Sequence, residues 1–401
     1  MKILQLVKKF PNPPKDGESI AVLSSSRGYA ELGCEVTLLS MNTKKHFADV
    51  SLFPEGISHY KNVITSFLDN SISPVKAFFN LFKKTSYNIE RFDDDAFRQK
   101  LIKLLSENKF DVIQLESLYM APYIDILRTK SEAIIVMRSH NHEYEIWKNL
   151  SESNTNPLLK WYYNLCSKRL YNYELNQFDK YDLLLPISHT DYSKYIDIGY
   201  HGDILLSPVG IDIAKYEVSL SKLNPSIKLG YIGSLDWKPN IEGLKWFFNT
   251  IWKPLADTFE NLEFHLAGRN PDPSLKEIKY KNVVYHGEVS SAKNFLENLD
   301  IIVVPLLSGS GIRIKILESM AMGKVVLSTK KGFEGISISN GVEGFIFESF
   351  EEFEKQIKSL LQDPNKLIEV SEKAKNFILN NFEFKKLAEK NIEAFNSFLN
   401  K

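Results

Sequence analysis

Leu306-Leu-Ser-Gly-Ser-Gly-Ile-Arg-Ile-Lys-Ile-Leu-Glu-Ser-Met-Ala-Met-Gly-Lys-Val-Val-Leu-Ser-Thr329 is a glycine turn, a short amphipathic helix and an apolar strand in immediate succession. The spacing predicts that Ser310 caps a helix opened by Gly311, and that Gly323 ends it before Val325-Val326-Leu327 continues as a buried strand. At about 3.6 residues per turn, Gly311, Lys315 and Glu318 share one face, while Ile312, Ile316 and Met320 form an apolar one. This pattern suits anion binding. A helix N-terminus offers unpaired amides and partial positive charge, Gly309 and Gly311 let a ligand approach the backbone, and Arg313 and Lys315 add two cations. A diphosphate fits such a place, and Glu318, further along, can accept hydrogen bonds from two neighbouring sugar hydroxyls. The competing reading is a solvated helix on which Lys315 and Glu318 pair at i,i+3 spacing.

Outward from this segment, short apolar runs rich in β-branched residues alternate with longer helical patterns, the signature of a doubly wound α/β sheet. The pattern occurs twice. The first set comprises Lys2–Val7, Glu35–Ser40, Val112–Leu115, Ala133–Met137 and Leu183–Pro186; the second comprises Lys228–Ile232, Leu262–Ala267, Asn282–Tyr285, Ile301–Pro305 and Val325–Ser328. Between them, Ser207-Pro-Val-Gly-Ile-Asp212 and the polar stretch to Pro225 read as a hinge. A chain of 401 residues exceeds one ordinary core, so two domains of roughly 200 residues each are expected.

Lys plus Arg number 50 and Asp plus Glu number 50, so no global field points to nucleic acid. Cys34 and Cys166 have neither metal-type spacing nor the density of a disulfide framework, which suits a reducing cytoplasm. No apolar run approaches the ~20 residues needed to span a bilayer, and Met1-Lys-Ile-Leu-Gln-Leu-Val7 is too short and charge-bounded for a signal peptide. Val75-Lys-Ala-Phe-Phe-Asn-Leu-Phe-Lys-Lys84 mixes aromatics with three lysines. Burial of those aromatics in the core is the expectation; an acceptor-facing helix or a membrane-surface patch is the alternative. Asp93-Asp94-Asp95 contains a formal metal-binding Asp-x-Asp, but it precedes the helical pattern Ala96–Leu105, where acids favour an N-terminus.

In the first half, the Ile134–Met137 strand runs into Arg138-Ser-His-Asn-His-Glu-Tyr-Glu-Ile-Trp147, and open α/β sheets bind ligands at the carboxyl ends of their strands. Arg138, His140 and Glu143 are therefore candidates. No Gly-x-Gly-x-x-Gly dinucleotide fingerprint follows the first strand. Phe10-Pro-Asn-Pro-Pro-Lys-Asp-Gly17 stands there instead, before a helical pattern over Ile20–Leu32.

On these motifs the chain resembles the retaining, family-4 glycosyltransferases, in which two glutamates separated by seven residues flank a turn and helix like that at 306–329. Glu318 takes the second place; Ser310 stands at the first, a departure that leaves the identity of the sugar open. The variant with an Arg-x-Lys-x-x-Glu core after a Gly-rich turn also occurs in relatives. Tyr231-Ile-Gly-Ser-Leu-Asp-Trp-Lys-Pro-Asn240 resembles the family's donor-phosphate loop around Gly233. Many members carry an arginine directly after that glycine and a lysine five residues on, where this chain has Ser234 and Pro239. Arg313 and Lys315 are then expected to restore the phosphate charge. His140 matches the family's N-domain histidine, Gly17 its sugar-contacting glycine, Tyr285-His-Gly-Glu-Val289 its base-lining loop, and Arg269 and Glu334 follow strands that border the donor.

The resemblance implies a GT-B architecture of two Rossmann-like, doubly wound α/β domains facing a cleft. The N-terminal domain, residues 1–209 plus about 383–401, is expected to take the acceptor, with the last helix crossing back onto it; residues 210–382 take the donor. The implied activity is transfer from a UDP- or GDP-type sugar to an acceptor hydroxyl, with retention and without metal or other cofactor, in bacterial surface polysaccharide or glycoconjugate synthesis. Arg313, Lys315 and His140 carry the catalytic roles. Gly17, Gly233, Ser234, Arg269, Ser310, Gly311, Glu318 and Glu334 contact the donor, with Arg138 and Glu143 on the acceptor side. The acceptor is a saccharide or lipid-linked saccharide, which admits peripheral contact with the inner face of a membrane. A nucleotide-sugar 2-epimerase of the same architecture, or a non-catalytic nucleotide-sugar-binding protein, is the alternative.

Overall fold

The computed structural model describes residues 1–14, 16–52, 55–216, 227–271, 280–309 and 311–400. Ser310 and the 217–225 part of the expected hinge lie outside the described residues. The chain divides into two compact units, Met1–Gly210 with Phe384–Lys401, and Ile211–Glu383.

Unit 1 is built on a parallel sheet of seven strands: β1 (Lys2–Val7), β2 (Glu35–Thr43), β3 (Asn62–Leu68), β4 (Val112–Glu116), β5 (Ile134–Ser139), β6 (Leu183–Pro186) and β7 (Asp203–Ile204). Their order is β3-β2-β1-β4-β5-β6-β7, so the winding reverses between β1 and β4. Successive side chains of a strand point to opposite faces. On one face Leu4, Leu6, Ile113, Leu115, Ile135 and Met137 join a single apolar core. On the other, Ile3, Val7, Val112, Ile134 and Val136 pack with Tyr29, Ala388 and Phe395. Register places Gln5 beside Gln114 and Glu116 beside Arg138, so this second face also carries a buried polar layer.

The helix Gly17–Glu31 opens before the expected Ile20 because Asp16 caps it, its side chain accepting from the Ser19 amide at 3.0 Å. The C-terminal helix Phe384–Leu399 lies against it. An added Cβ on Gly28 would sit 2.6 Å from the Ala388 Cβ, and Asn391 donates to the Tyr29 hydroxyl at 2.9 Å.

Unit 2 repeats the plan with six parallel strands: β8 (Lys228–Ile232), β9 (Glu263–Ala267), β10 (Val283–Gly287), β11 (Ile301–Val304), β12 (Val325–Ser328) and β13 (Phe345–Ile346). The order is β10-β9-β8-β11-β12-β13, with the reversal between β8 and β11. Leu229, Tyr231, Ile301, Val303, Val325 and Leu327 fill one core, and Ile302, Val304 and Val326 the other.

The expected burial of the aromatics between Val75 and Lys84 does not occur. The helix Pro74–Asn80 is only about two turns long, and the group it buries is Asn80. Arg169 donates to the Asn80 side-chain oxygen at 2.8 Å and to the Leu81 carbonyl at 3.0 Å, so a polar anchor ties the segment down. The rings turn outward. Phe78, Phe79 and Phe82 are 56, 63 and 78 % exposed, and they contact one another edge-on. Asp94 caps the helix Asp95–Glu107 by accepting from the Phe97 amide at 2.8 Å, and Asp93 pairs with Arg98. Among the described residues no cluster of three metal-ligating side chains occurs, and no helix is long and apolar enough to cross a membrane.

Candidate functional site

The 306–329 segment lies at the reversal point of the second sheet, where open α/β folds form a crevice beyond the strand ends. Gly233 follows β8, and Gly309 and Gly311 follow β11. Both latter glycines take positive φ, +101° and +83°, a conformation that costs side-chain-bearing residues. That geometry moves the start of the helix. It opens at Ile314 rather than at Gly311, with Arg313 in extended conformation at the cap position and no side-chain cap. Gly323, at φ +71°, ends it as expected.

Lys315 is the centre of this end of unit 2. Its ammonium donates to the Tyr231 hydroxyl at 2.9 Å and stands 4.2 Å from that ring's centroid. An added Cβ at Gly233 would come within 2.5 Å of the Lys315 nitrogen, so the bare glycine makes room for it. Among the described residues no carboxylate reaches Lys315 at ion-pair distance, and the i,i+3 pair with Glu318 does not form. Glu318 accepts instead from the Tyr216 hydroxyl at 2.8 Å. Burial, with the charge of Arg313, brings the Lys315 pKa down to about 7, and burial pushes that of Glu318 up. Arg313 is buried, donates to the Gly311 carbonyl at 2.6 Å and lies over Trp237 with its guanidinium carbon 5.7 Å from the ring centroid.

The remaining donor-side candidates are arranged more loosely. The Ser234 hydroxyl bonds Asp236, and its carbonyl accepts from Asn240 at 2.7 Å. Ser234 therefore shapes the turn after β8 rather than capping a helix. Arg269 is exposed and near Asp236. Glu334 pairs with Lys331 at 2.9 Å and also acts electrostatically on Arg313. Tyr216, Tyr231 and Trp237 belong with the site and were not singled out in the sequence. For Tyr231 a signal exists, since a strand-end tyrosine two residues before Gly233 points toward whatever that glycine admits.

In unit 1 the candidates gather at the other reversal point, beyond β1, β4 and β5. His140 is buried, and its Nε2 lies 2.7 Å from Glu116 Oε2. Lys8 and Lys9, just after β1, meet Glu18 at 3.3 and 3.5 Å, and Lys8 reaches Glu143 at 3.7 Å. Burial opposes the Lys8 charge, but Glu18, Glu143 and Asp16 outweigh it and hold the pKa above its ordinary value. Burial keeps the Glu143 carboxyl above its usual range. Gly17 is the first helical residue, two positions from the Ser19 amide that Asp16 caps.

Arg138 is not on an acceptor surface. It is 1 % exposed, donating to the Ala21 carbonyl at 2.9 Å, the Ser25 hydroxyl at 3.0 Å and the Pro208 carbonyl at 3.2 Å. The alternation along β5 explains this. Arg138 shares the face of Val136, which the Gly17–Glu31 and C-terminal helices cover. His142 is also packed inside, with Nε2 3.2 Å from the Asp191 carbonyl.

Residues 226–363 match the family described as Glycosyl transferases group 1. An uncharacterised 44.6 kDa protein of the cps region of Klebsiella pneumoniae is 22 % identical over 306 residues, covering 72 % of this chain and 75 % of that one. Among solved structures, Anabaena HepE in complex with UDP superposes with a TM-score of 0.68 at 15 % identity, covering 99 % of this chain and 100 % of that one. Sucrose-phosphate synthase from Thermosynechococcus elongatus gives 0.69 at 14 % identity, covering 100 % and 99 %. The fold is that of the GT-B glycosyltransferases, and with its group 1 domain the chain is a glycosyltransferase.

Proposed function

We propose that the protein transfers a sugar from a nucleoside-diphosphate donor to an acceptor hydroxyl, with retention and without a metal ion, in the synthesis of a bacterial surface polysaccharide or glycoconjugate. The observation that carries this is Lys315, a half-buried ammonium behind the glycine turn at the reversal point of the second sheet, with no carboxylate in reach among the described residues. A diphosphate supplies the missing counter-charge. Lys315 and Arg313 then stabilise the negative charge that grows on the leaving group, a role served best by fixed charges in a water-poor site. Glu318 accepts from ribose hydroxyls, and Gly17, Gly233, Ser234, Arg269, Ser310, Gly311 and Glu334 border the donor. His140 hydrogen-bonds the sugar, and Glu143 lies on the acceptor side. The HepE complexes with UDP and UDP-glucose support a uridine nucleotide, and the cps-region relative supports a polysaccharide product. Both cysteines are free thiols, which suits a cytoplasmic setting.

Incubation with UDP- and GDP-sugars, with and without saccharide acceptors, tests the reading. Acceptor-dependent release of nucleoside diphosphate with glycoside formation is expected. Conversion of the donor sugar without acceptor identifies a 2-epimerase, and binding without turnover a non-catalytic protein; either outcome rejects the proposal.

The outward-facing Phe78, Phe79 and Phe82, with Ile72 and Val75, support contact with an anionic bilayer, where a lipid-linked acceptor resides. Residues 71–86 carry three lysines and no acid, so the charge of the patch matches such a surface. Co-sedimentation with phosphatidylglycerol-containing vesicles is expected at low salt and is expected to weaken in the Phe78→Ser/Phe82→Ser double variant. Equal sedimentation of that variant and the parent protein removes the membrane contact.

A further inference from the structure

Glu116 ends β4 fully buried, and every bond it makes points the same way. Its Oε2 faces His140 Nε2 at 2.7 Å, while its Oε1 accepts from Gln5 Nε2 at 3.0 Å and from the Gln114 amide. Turning either glutamine amide round would set its oxygen against the carboxylate. Gln5 Oε1 accepts from the Tyr60 hydroxyl at 3.0 Å, and Gln114 Oε1 from the Tyr29 hydroxyl at 3.0 Å, so both NH2 groups are held toward the carboxylate. Tyr29 is fixed in turn by Asn391 of the C-terminal helix. The Arg138 guanidinium, 3.8 Å away, balances the charge; burial alone would raise the Glu116 pKa, but Arg138 and the His140 bond hold it below the usual carboxylate range. The next residue, Ser117, is held at φ 105° and ψ 160°, with its amide bonded to the Arg138 carbonyl at 3.0 Å. Non-glycine residues adopt that conformation only where the surroundings impose it.

A carboxylate locked as an acceptor requires a proton on the nitrogen it faces. His140 Nδ1, buried and without a hydrogen-bond partner among the described residues, is then the nitrogen with the free lone pair. We infer that Glu116 is a positioning residue that fixes His140 in the Nε2–H tautomer, so that Nδ1 accepts a hydrogen bond from a hydroxyl of the donor sugar. The inference rests on the proposed role of His140 in contacting that sugar. It also sets a specificity: a sugar whose corresponding position is deoxy or fluoro has no proton to give and leaves Nδ1 unsatisfied.

The tautomer is read directly by two-bond 1H–15N correlation on the 15N-histidine-labelled full chain, at a pH where the ring is neutral. The parent protein is expected to show Nε2–H. In Glu116→Gln the amide oxygen must stay toward Gln5 and Gln114, so its NH2 faces His140 Nε2 and moves the ring proton to Nδ1. Turnover is expected to fall about 10²-fold, as for other losses of a histidine's orienting carboxylate, with KM for the donor little changed. Glu116→Asp keeps the charge and is expected to retain the parent tautomer and more of the turnover. An Nδ1–H ring in the parent protein overturns the inference without recourse to any variant, as does an unchanged tautomer in a folded Glu116→Gln. A shifted tautomer with unchanged turnover overturns the sugar-contact role of His140 while leaving the Glu116–His140 coupling in place.

Discussion

Lys315→Met is expected to lower kcat/KM for the nucleotide-sugar donor by about 10² to 10³-fold, on the order of 3–4 kcal/mol, the scale of removing one preorganised group from a developing anion. Methionine fills a similar volume, so the backbone and Tyr231 have little reason to shift. Thermal stability is expected to hold or rise, because the variant no longer buries a charge. A titration showing parent-like donor affinity in Lys315→Met would reject the diphosphate assignment. The same residue gives a pH signature. With its pKa brought to about 7 in the free protein, Lys315 is about half neutral at pH 7. A bound diphosphate favours the charged form and raises that pKa, so binding takes up a proton wherever the pH lies between the two values. Donor affinity is therefore level below about pH 6 and falls above pH 7, approaching tenfold per pH unit. Calorimetry in two buffers of different ionisation enthalpy measures the uptake, and Lys315→Met is expected to abolish it.

Arg138→Met is expected to destabilise unit 1 by about 3–5 kcal/mol, the cost of removing one member of a buried charged pair and leaving the other uncompensated. Four interactions are lost together: the bonds to Ala21 and Ser25 in one helix, the bond to Pro208, and the charge opposite Glu116. Glu116 has its folded pKa depressed, so its contribution to stability is present above the unfolded carboxylate value and is lost as pH falls through the folded one. Since Arg138 causes much of that depression, the difference between parent and variant should narrow on acidification. Denaturant midpoints at neutral and acid pH measure both effects. A loss below about 1 kcal/mol, the scale of an exposed pair, would show that Arg138 is not part of the interior.

The interior strands were legible because each is buried on both faces and reads as a short apolar run. β1, β6, β8 and β12 have the bounds expected from sequence. The edge strands β3, β7 and β13 were not. Asn62–Leu68 mixes asparagine, threonine and serine with its apolar residues, and the other two are only two residues long. In the candidate site, the residue types around Lys315 were readable, but the helix start was not. Positive φ at Gly309 and Gly311 delays it by three residues, and sequence alone does not say which glycine turns which way.

Sequence by itself determined the two doubly wound sheets and the glycine turn with its cationic helix, because hydrophobic period and glycine placement are local properties of the chain. Only the tertiary structure decided which charges are buried and what they face. Arg138, on β5, lies only two residues before His140, yet helices brought from residues 17–31 and 384–399 cover it. Phe78 and its neighbours look like core residues until Arg169, far along the chain, anchors Asn80 and leaves the rings outside. Glu116 meets His140 only because parallel pairing sets β4 beside β5 in one register. Burial and pairing across such separations depend on the packing of several elements at once, and no local pattern encodes them.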